Sequence, residues 1–108
     1  MDEGRPSWQT DPCPRWCAGG HEESDHPDDR VHRSCAVPVP VVARRTWFEG
    51  ARLYRHEEAA EFDVALGRVD GEGETWLYVG DGPARSIEVT AESAERLLAA
   101  IGAALRSR

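Results

Sequence analysis

The sequence predicts an α+β fold, with a cysteine- and histidine-rich N-terminal segment, an antiparallel sheet of about four strands and one C-terminal helix. Three observations predict it. Residues 11–35 hold all three cysteines and three of the four histidines, but almost no aliphatic side chains. Residues 61–89 alternate between apolar and polar side chains across two turn signals. Residues 91–106 repeat apolar side chains with the period of a helix.

The chain divides into three segments within a single domain, since 108 residues leave room for one. Residues 1–10 are acidic and polar, and we expect them to be flexible. Residues 11–35 cannot form a hydrophobic core, so something other than apolar burial must organise them. Residues 36–108 contain the predicted sheet and helix.

The predicted strands follow from local patterns. The run 36–43, AVPVPVVA, is rich in β-branched residues, but Pro38 and Pro40 restrict it to an edge strand, which continues through 44–48. Residues 49–60 are interpreted as a turn at Gly50 followed by a loop. Strands at 61–69, 75–80 and 87–89 are separated by turns at 70–74 and 81–86. Successive hairpins predict an antiparallel meander.

The C-terminal helix is predicted from about residue 91 to 106, with Thr90 as its N-cap and Glu92 in its first turn. One stripe of the helix is apolar: Ala94, Leu97, Leu98, Ile101 and Leu105. We expect this stripe to pack on the sheet face that carries Phe62, Val64, Leu66, Ile87 and Val89.

The strand at 75–80 has two apolar faces. Leu77 and Val79 lie on one face, and Trp76 and Tyr78 lie on the other. One helix can cover only one face, so the other must be covered by the N-terminal segment through Trp16, by a second copy of the chain or by a different protein. We expect a protein–protein contact at Trp76, with a homodimer as its simplest form.

Charge and composition limit the class of protein. A net charge of −7 and a pI near 5.0 disfavour a protein whose whole surface coats nucleic acid or an anionic membrane. The acidic N-terminus lacks the pattern of a secretory signal, and no apolar run approaches the ~18 residues of a membrane span. Three cysteines fit poorly with a disulfide framework. We therefore expect a cytoplasmic protein with no membrane partner.

The stretch CPRWCAGGH at 13–21 carries the clearest chemical signal. Cys13, Cys17 and His21 follow one another at intervals of four residues, and thiolates and imidazoles in sets of four form the usual structural zinc site. The spacing leaves the fourth ligand open. His26 fits the usual interval between paired histidines, His32 can loop back to the same centre, and Cys35 is a further candidate.

The pattern CPRWC…H…VHRS, followed by a sheet and an alanine- and leucine-rich helix, resembles an uncharacterised family of small actinobacterial proteins. That family shows C-P-x-W-C-x3-H with a later H-x-S or H-x-G. The matching positions are Cys13, Pro14, Trp16, Cys17, His21, His32 and Ser34. The resemblance implies that His32 is the fourth ligand, beside Cys13, Cys17 and His21, and that Cys35 lies outside the site. It implies no activity.

No catalytic pattern accompanies the metal ligands. The H-E-x-x-H, zinc-deaminase and G-x-S-x-G signatures are absent. We expect a non-enzymatic, zinc-stabilised protein-interaction module, for example an accessory regulator, whose protein partner the sequence does not identify. A less favoured alternative is a zinc hydrolase in which Glu22, Glu23 or Asp25 acts as the base.

A second alternative is nucleic-acid binding through residues 30–56, where six arginines are interleaved with Trp47, Phe48 and Tyr54. Residues 1–29 carry eight acidic side chains, and we favour pairing of these arginines with them because the chain as a whole is acidic.

Overall fold

The computed structural model describes residues 5–108, which form a five-stranded antiparallel sheet and one C-terminal helix. The α+β class is confirmed, with five strands where about four were expected. The elements are β1 (Val31–Arg33), β2 (Val37–Glu49), β3 (Arg52–Val69), β4 (Trp76–Gly80), β5 (Ser86–Thr90) and α1 (Ala91–Arg106). The sheet thus begins at Val31, inside the segment that was assigned to the N-terminal region.

The long strand β3 organises the sheet. One edge of β3 pairs with β2 through residues 52–64 and then with β1 through residues 67–69. Its other edge pairs with β4 through residues 63–67 only, and β4 pairs with β5. Residues 39–62 therefore form a two-stranded projection, which we call the β2–β3 arm. Since β2 pairs with β3 alone, Pro38 and Pro40 lie on an edge strand, as predicted.

The prediction of a loop at 49–60 is wrong. Gly50 does form the turn, with the left-handed φ of +62° that glycine adopts readily, but β3 begins at Arg52. Both faces of the arm are accessible to solvent, so polar side chains occur on both and the alternation that marks a half-buried strand is missing. Pairing with the full length of β2 determines the strand.

Helix α1 begins and ends where the sequence predicts. The Thr90 hydroxyl accepts a hydrogen bond from the Ser93 amide at 3.2 Å, which caps the helix. The expected packing of its stripe onto the sheet of the same chain is wrong, because α1 buries no residue and Leu98 is 72% exposed. The reason is the connection. Strand β5 ends at Thr90 and α1 begins at Ala91, which leaves no loop to turn the helix back over the sheet.

Cross-strand pairing gathers apolar side chains on one face of the sheet, which we call the apolar sheet face. Its members are Val37, Val39, Phe62, Val64, Leu66, Leu77, Val79, Ile87 and Val89. None of them is buried, and no other hydrophobic side chain in residues 5–108 is buried either. The radius of gyration is 18.0 Å, whereas a compact chain of this length has a value of roughly 13 Å. The fold is elongated, and residues 5–108 form no hydrophobic core of their own.

Residues 6–10 lie against later parts of the chain. The expectation of flexibility at 1–10 falls partly outside the described residues. Within them, Pro6 is buried and the Ser7 amide and hydroxyl both donate to the Glu23 carboxylate. Thr10 donates to Asp70, in the turn after β3. Within residues 5–108, no helix combines the length and the apolar composition needed to cross a membrane.

Candidate metal centre

Two local features turn the N-terminal segment back on itself. The Cys17 amide donates to the Pro14 carbonyl at 3.0 Å, and this tight turn brings Cys13 close to Cys17. Gly19 and Gly20 then both adopt a φ of +78°, which glycine tolerates because it lacks a Cβ. The Ala18 amide donates to the Arg33 carbonyl at 2.7 Å and holds this turn against β1.

The structure brings together Cys13, Cys17, His21 and His32. Their ligand atoms all lie within 4.8 Å of one another. Cys17 Sγ lies 3.5 Å from His21 Nε2, which is close to the separation of about 3.6 Å that a sulfur and a nitrogen have around a tetrahedral zinc ion. These four side chains therefore lie close enough to hold a metal ion.

His32 provides the most specific evidence for a metal. Its side chain is 0% exposed, and Nε2 lies 2.9 Å from Asp70 Oδ1. Nε2 therefore carries the proton that it donates to the carboxylate, and Nδ1 presents a lone pair. Nδ1 is buried and has no hydrogen-bond partner. A buried polar atom without a partner is costly, and a metal ion held with the two cysteines would supply the partner.

Asp70 is a functional residue that the sequence reasoning missed. Its carboxylate accepts hydrogen bonds from the Thr10 amide at 2.8 Å, the Thr10 hydroxyl at 3.0 Å and the Asp11 amide at 3.2 Å, as well as from His32. Burial raises the pKa of Asp70, but these hydrogen bonds outweigh it and lower the pKa to about 2. A carboxylate that orients a metal-binding histidine in this way fixes its ring and its tautomer.

The two cysteines differ electrostatically. Burial raises the pKa of Cys17, but the hydrogen bond from the Gly19 amide and the neighbouring His21 and Cys13 side chains lower it to about 6. Burial raises the pKa of Cys13, and so does the adjacent Cys17. A thiol that ionises at or below neutral pH is already in the form that binds metals.

The other two candidates for the fourth ligand lie outside this group. His26 is exposed, and its Nδ1 accepts a hydrogen bond from the Asp28 amide at 3.1 Å. It thereby caps the short 3-10 helix Pro27–Asp29. Cys35 is exposed between β1 and β2. The structure thus places His32, rather than His26 or Cys35, beside the other three side chains.

A second set of possible ligand atoms, from Asp11, His32 and Asp70, also lies within 4.8 Å. The side chains of this set already form hydrogen bonds with each other or with the backbone. Asp70 Oδ1 lies 2.9 Å from His32 Nε2, and Asp11 Oδ2 accepts from the Gly71 amide at 2.8 Å. This set is the polar layer that supports the cysteine and histidine cluster.

The arginines of residues 30–56 meet the expectation only in part. Arg30 lies beside the N-terminal acids and donates to the Asp25 carbonyl at 3.2 Å. Arg44 Nε lies 3.0 Å from Glu57 Oε1, so Arg44 pairs with its cross-strand neighbour and not with an N-terminal acid. Near the tip of the β2–β3 arm, the rings of Trp47 and Tyr54 stack with centroids 5.7 Å apart. The guanidinium groups of Arg45 and Arg52 each lie 5.4 Å from one of these ring centroids.

The sheet face that carries Trp76 and Tyr78 contains an open groove of about 490 Å³, bordered also by Val31, Ala65 and Val69. Trp76 is 38% exposed there. The predicted protein–protein contact at this face stays a prediction.

Comparison with known proteins identifies a family and nothing more specific. No curated protein and no solved structure matches the chain. One family model, described as a domain of unknown function (DUF6907), matches residues 2–107. Because this match covers almost the whole chain, the protein belongs to the DUF6907 family of domains of unknown function.

Proposed function

We propose that the protein is a non-enzymatic, zinc-stabilised protein-interaction module that acts in the cytoplasm. The observation that carries the proposal is the buried His32. One of its nitrogens is held by Asp70 and the other has no hydrogen-bond partner, beside Cys13, Cys17 and His21. Two thiolates and two imidazoles are a donor set that suits tetrahedral zinc.

A structural role for the metal follows from the composition of the N-terminal segment. Residues 11–35 have almost no aliphatic side chains to bury. A structural zinc site contributes on the order of 10 kcal/mol at neutral pH, and this can replace a hydrophobic core as the source of order. The zinc also ties the N-terminal segment to β1, because His32 lies within that strand.

The hydrolase alternative receives less support. Four protein ligands fill a tetrahedral zinc and leave no position for a reactive water. Two of the candidate bases are also engaged, since the Glu23 carboxylate accepts from Ser7 and Asp25 Oδ2 accepts from the Glu22 amide at 3.0 Å. A general base must be free to take a proton from the metal-bound water.

The interaction role is supported by surface that the chain does not cover. Both α1 and the apolar sheet face leave apolar side chains exposed to water. Large exposed apolar patches on a small domain mark contact sites for other molecules.

The test combines metal analysis with activity assays. Protein purified without chelators is expected to carry one zinc per chain by native mass spectrometry and to show no zinc-dependent turnover in a panel of ester, peptide and phosphate substrates. Metal-free protein with an ordered N-terminal segment would contradict the zinc proposal. Turnover that disappears in His32→Ala and returns with added metal in the wild type would contradict a non-enzymatic role.

Nucleic-acid binding is the second candidate, and one observation favours it. The tip of the β2–β3 arm collects four arginines beside Phe48, whose side chain is 69% exposed. These arginines are Arg44, Arg45, Arg52 and Arg55. Fluorescence titration with single-stranded DNA and RNA at several salt concentrations tests this candidate, since phosphate contacts give an affinity that falls with salt. Absence of binding at 50 mM salt would remove it.

A further inference from the structure

We propose that two copies of the chain form a dimer in which α1 of each copy packs on the apolar sheet face of the other. This inference rests on the proposed interaction function and names its partner as a second copy of the same chain. Four observations on the chain support it, and each concerns surface that the single chain leaves exposed.

The first observation is the composition of α1. Residues 97–105 read LLAAIGAAL and contain no polar side chain. A helical segment that has no polar side chain on any side is normally buried in a protein. Here Leu98, Ile101 and Leu105 are all more than half exposed. Each such side chain gains free energy when another surface covers it.

The second observation is the apolar sheet face. Val37, Val64, Val79 and Ile87 form a continuous row across four strands, because each is the direct cross-strand partner of the next. Val37 and Ile87 at the two ends of the row are also more than half exposed. The row is about 14 Å wide at the usual strand spacing, and α1 with its 16 residues is about 24 Å long. The helix is therefore long enough to cross the whole row.

The third observation is the total surface. The chain exposes 8170 Å², whereas a folded monomer of its mass exposes roughly 6,000 Å². The excess of roughly 2,200 Å² per chain corresponds to roughly 4,400 Å² for two chains, which lies within the range of obligate dimers. The excess area, to which the β2–β3 arm also contributes, is thus as large as the area that a stable dimer buries.

The fourth observation is that the uncovered surfaces are complementary. A helix on a sheet is the layer packing of α+β folds. Each chain carries one uncovered helix and one uncovered sheet face, but α1 follows β5 without a loop and does not fold back. A second copy related by a two-fold axis supplies both missing surfaces, and this arrangement closes. Residues 97–105 bring no charged side chain to the contact.

Native mass spectrometry of the zinc-loaded full chain tests the inference, since it reports the number of chains and the number of zinc ions together. Leu98→Glu and Val37→Glu place a charge on the two proposed surfaces. Arg96→Glu lies on the opposite side of α1, and Val42→Glu lies on the opposite face of β2, so these two variants are the matched controls. Sedimentation at several concentrations gives the dissociation constants.

The wild type and the two controls are expected to be dimers with one zinc per chain. Leu98→Glu and Val37→Glu are expected to keep their zinc and to raise the dissociation constant at least tenfold. A zinc-loaded wild type that stays monomeric up to 100 μM would overturn the dimer and leave the zinc proposal intact. A dimer that survives both variants would overturn the assigned surfaces. Loss of zinc alone, with the dimer retained, would count against the proposed function and not against this inference.

Discussion

The N-terminal segment and the sheet with its helix use their side chains in opposite ways. Residues 11–35 have almost no aliphatic side chains, yet the end of this segment contains His32, the largest fully buried side chain of residues 5–108. Residues 36–108 contain nearly all of the aliphatic side chains and bury none of them. The N-terminal segment therefore buries a polar side chain, whereas residues 36–108 leave their apolar side chains unburied.

The difference fits two sources of order, the proposed zinc site in the first region and apolar packing in the second. A metal site needs only a few ligands at one point, so a segment of about 25 residues can complete it within one chain. A hydrophobic core needs two apolar layers facing each other, and the direct β5–α1 connection keeps these layers apart. On the two proposals made above, the first region is completed within the monomer by zinc, and the second is completed by another copy.

The largest expected effect is the loss of the fourth ligand. His32→Ala removes a ligand from a site worth on the order of 10 kcal/mol, so we expect it to abolish tight zinc binding. Competition against a chromophoric chelator measures the affinity. His26→Ala is the control and should bind zinc like the wild type, because His26 caps a 3-10 helix outside the cluster. Tight zinc binding that is kept in His32→Ala and lost in His26→Ala would contradict the ligand set.

The second effect concerns the sheet and helix. If a second copy covers them, the thermal midpoint must depend on the concentration of the chain. A hundredfold increase in concentration should stabilise the folded dimer by about 2.7 kcal/mol by mass action. Circular dichroism of the helix, recorded at several chain concentrations with zinc in excess, measures the midpoint. A midpoint that does not change with concentration would show that the apolar surfaces are not covered by self-association.

The third effect tests the support of the metal site. Asp70→Asn keeps the shape of the side chain but removes the charge that orients His32, and such changes typically weaken metal affinity about 10- to 100-fold. The same chelator competition detects it. Asp28→Asn provides the control, since this exposed carboxylate lies in the same N-terminal segment as the proposed ligands but does not belong to the cluster. Equal zinc affinities for the two variants would show that Asp70 does not support the metal site.

The smallest effect concerns the N-terminal cap of α1, which stabilises the helix independently of the surface that covers it. Thr90→Ala removes the hydroxyl that caps α1 and should lower the free energy of unfolding by about 1 kcal/mol. Thr46→Ala, at an exposed position of β2, should change it little. Urea denaturation at one fixed chain concentration compares them. A zinc affinity that falls in Thr90→Ala would indicate that the two regions are coupled after all.

Much of this arrangement could be predicted from local patterns. The intervals between Cys13, Cys17 and His21 indicate the cluster because nearby ligands need only a tight turn to converge. The period of residues 94–105 and the cap at Thr90 predict α1 with correct bounds, since both signals are local. The choice of His32 came from a family resemblance, and spacing alone left it open.

The rest depends on tertiary contacts that local patterns do not encode. Asp70 lies 38 residues from His32 in the chain and looks like an ordinary turn residue. It reaches His32 because β1 pairs with the end of β3, with Val31 opposite Val69. The long β2–β3 hairpin was missed because its polar residues occur on both faces. The position of α1 was misjudged because a period identifies the apolar side of a helix but not the surface that covers it.

The central claim is that one zinc ion is held by Cys13, Cys17, His21 and His32. Zinc K-edge X-ray absorption of the full chain, purified without chelators, tests it most directly because it counts sulfur and nitrogen ligands. The account predicts two sulfur ligands at about 2.3 Å and two nitrogen ligands at about 2.0–2.1 Å. A third sulfur ligand, which would implicate Cys35, an oxygen ligand in place of one nitrogen, or a protein without bound zinc would contradict it.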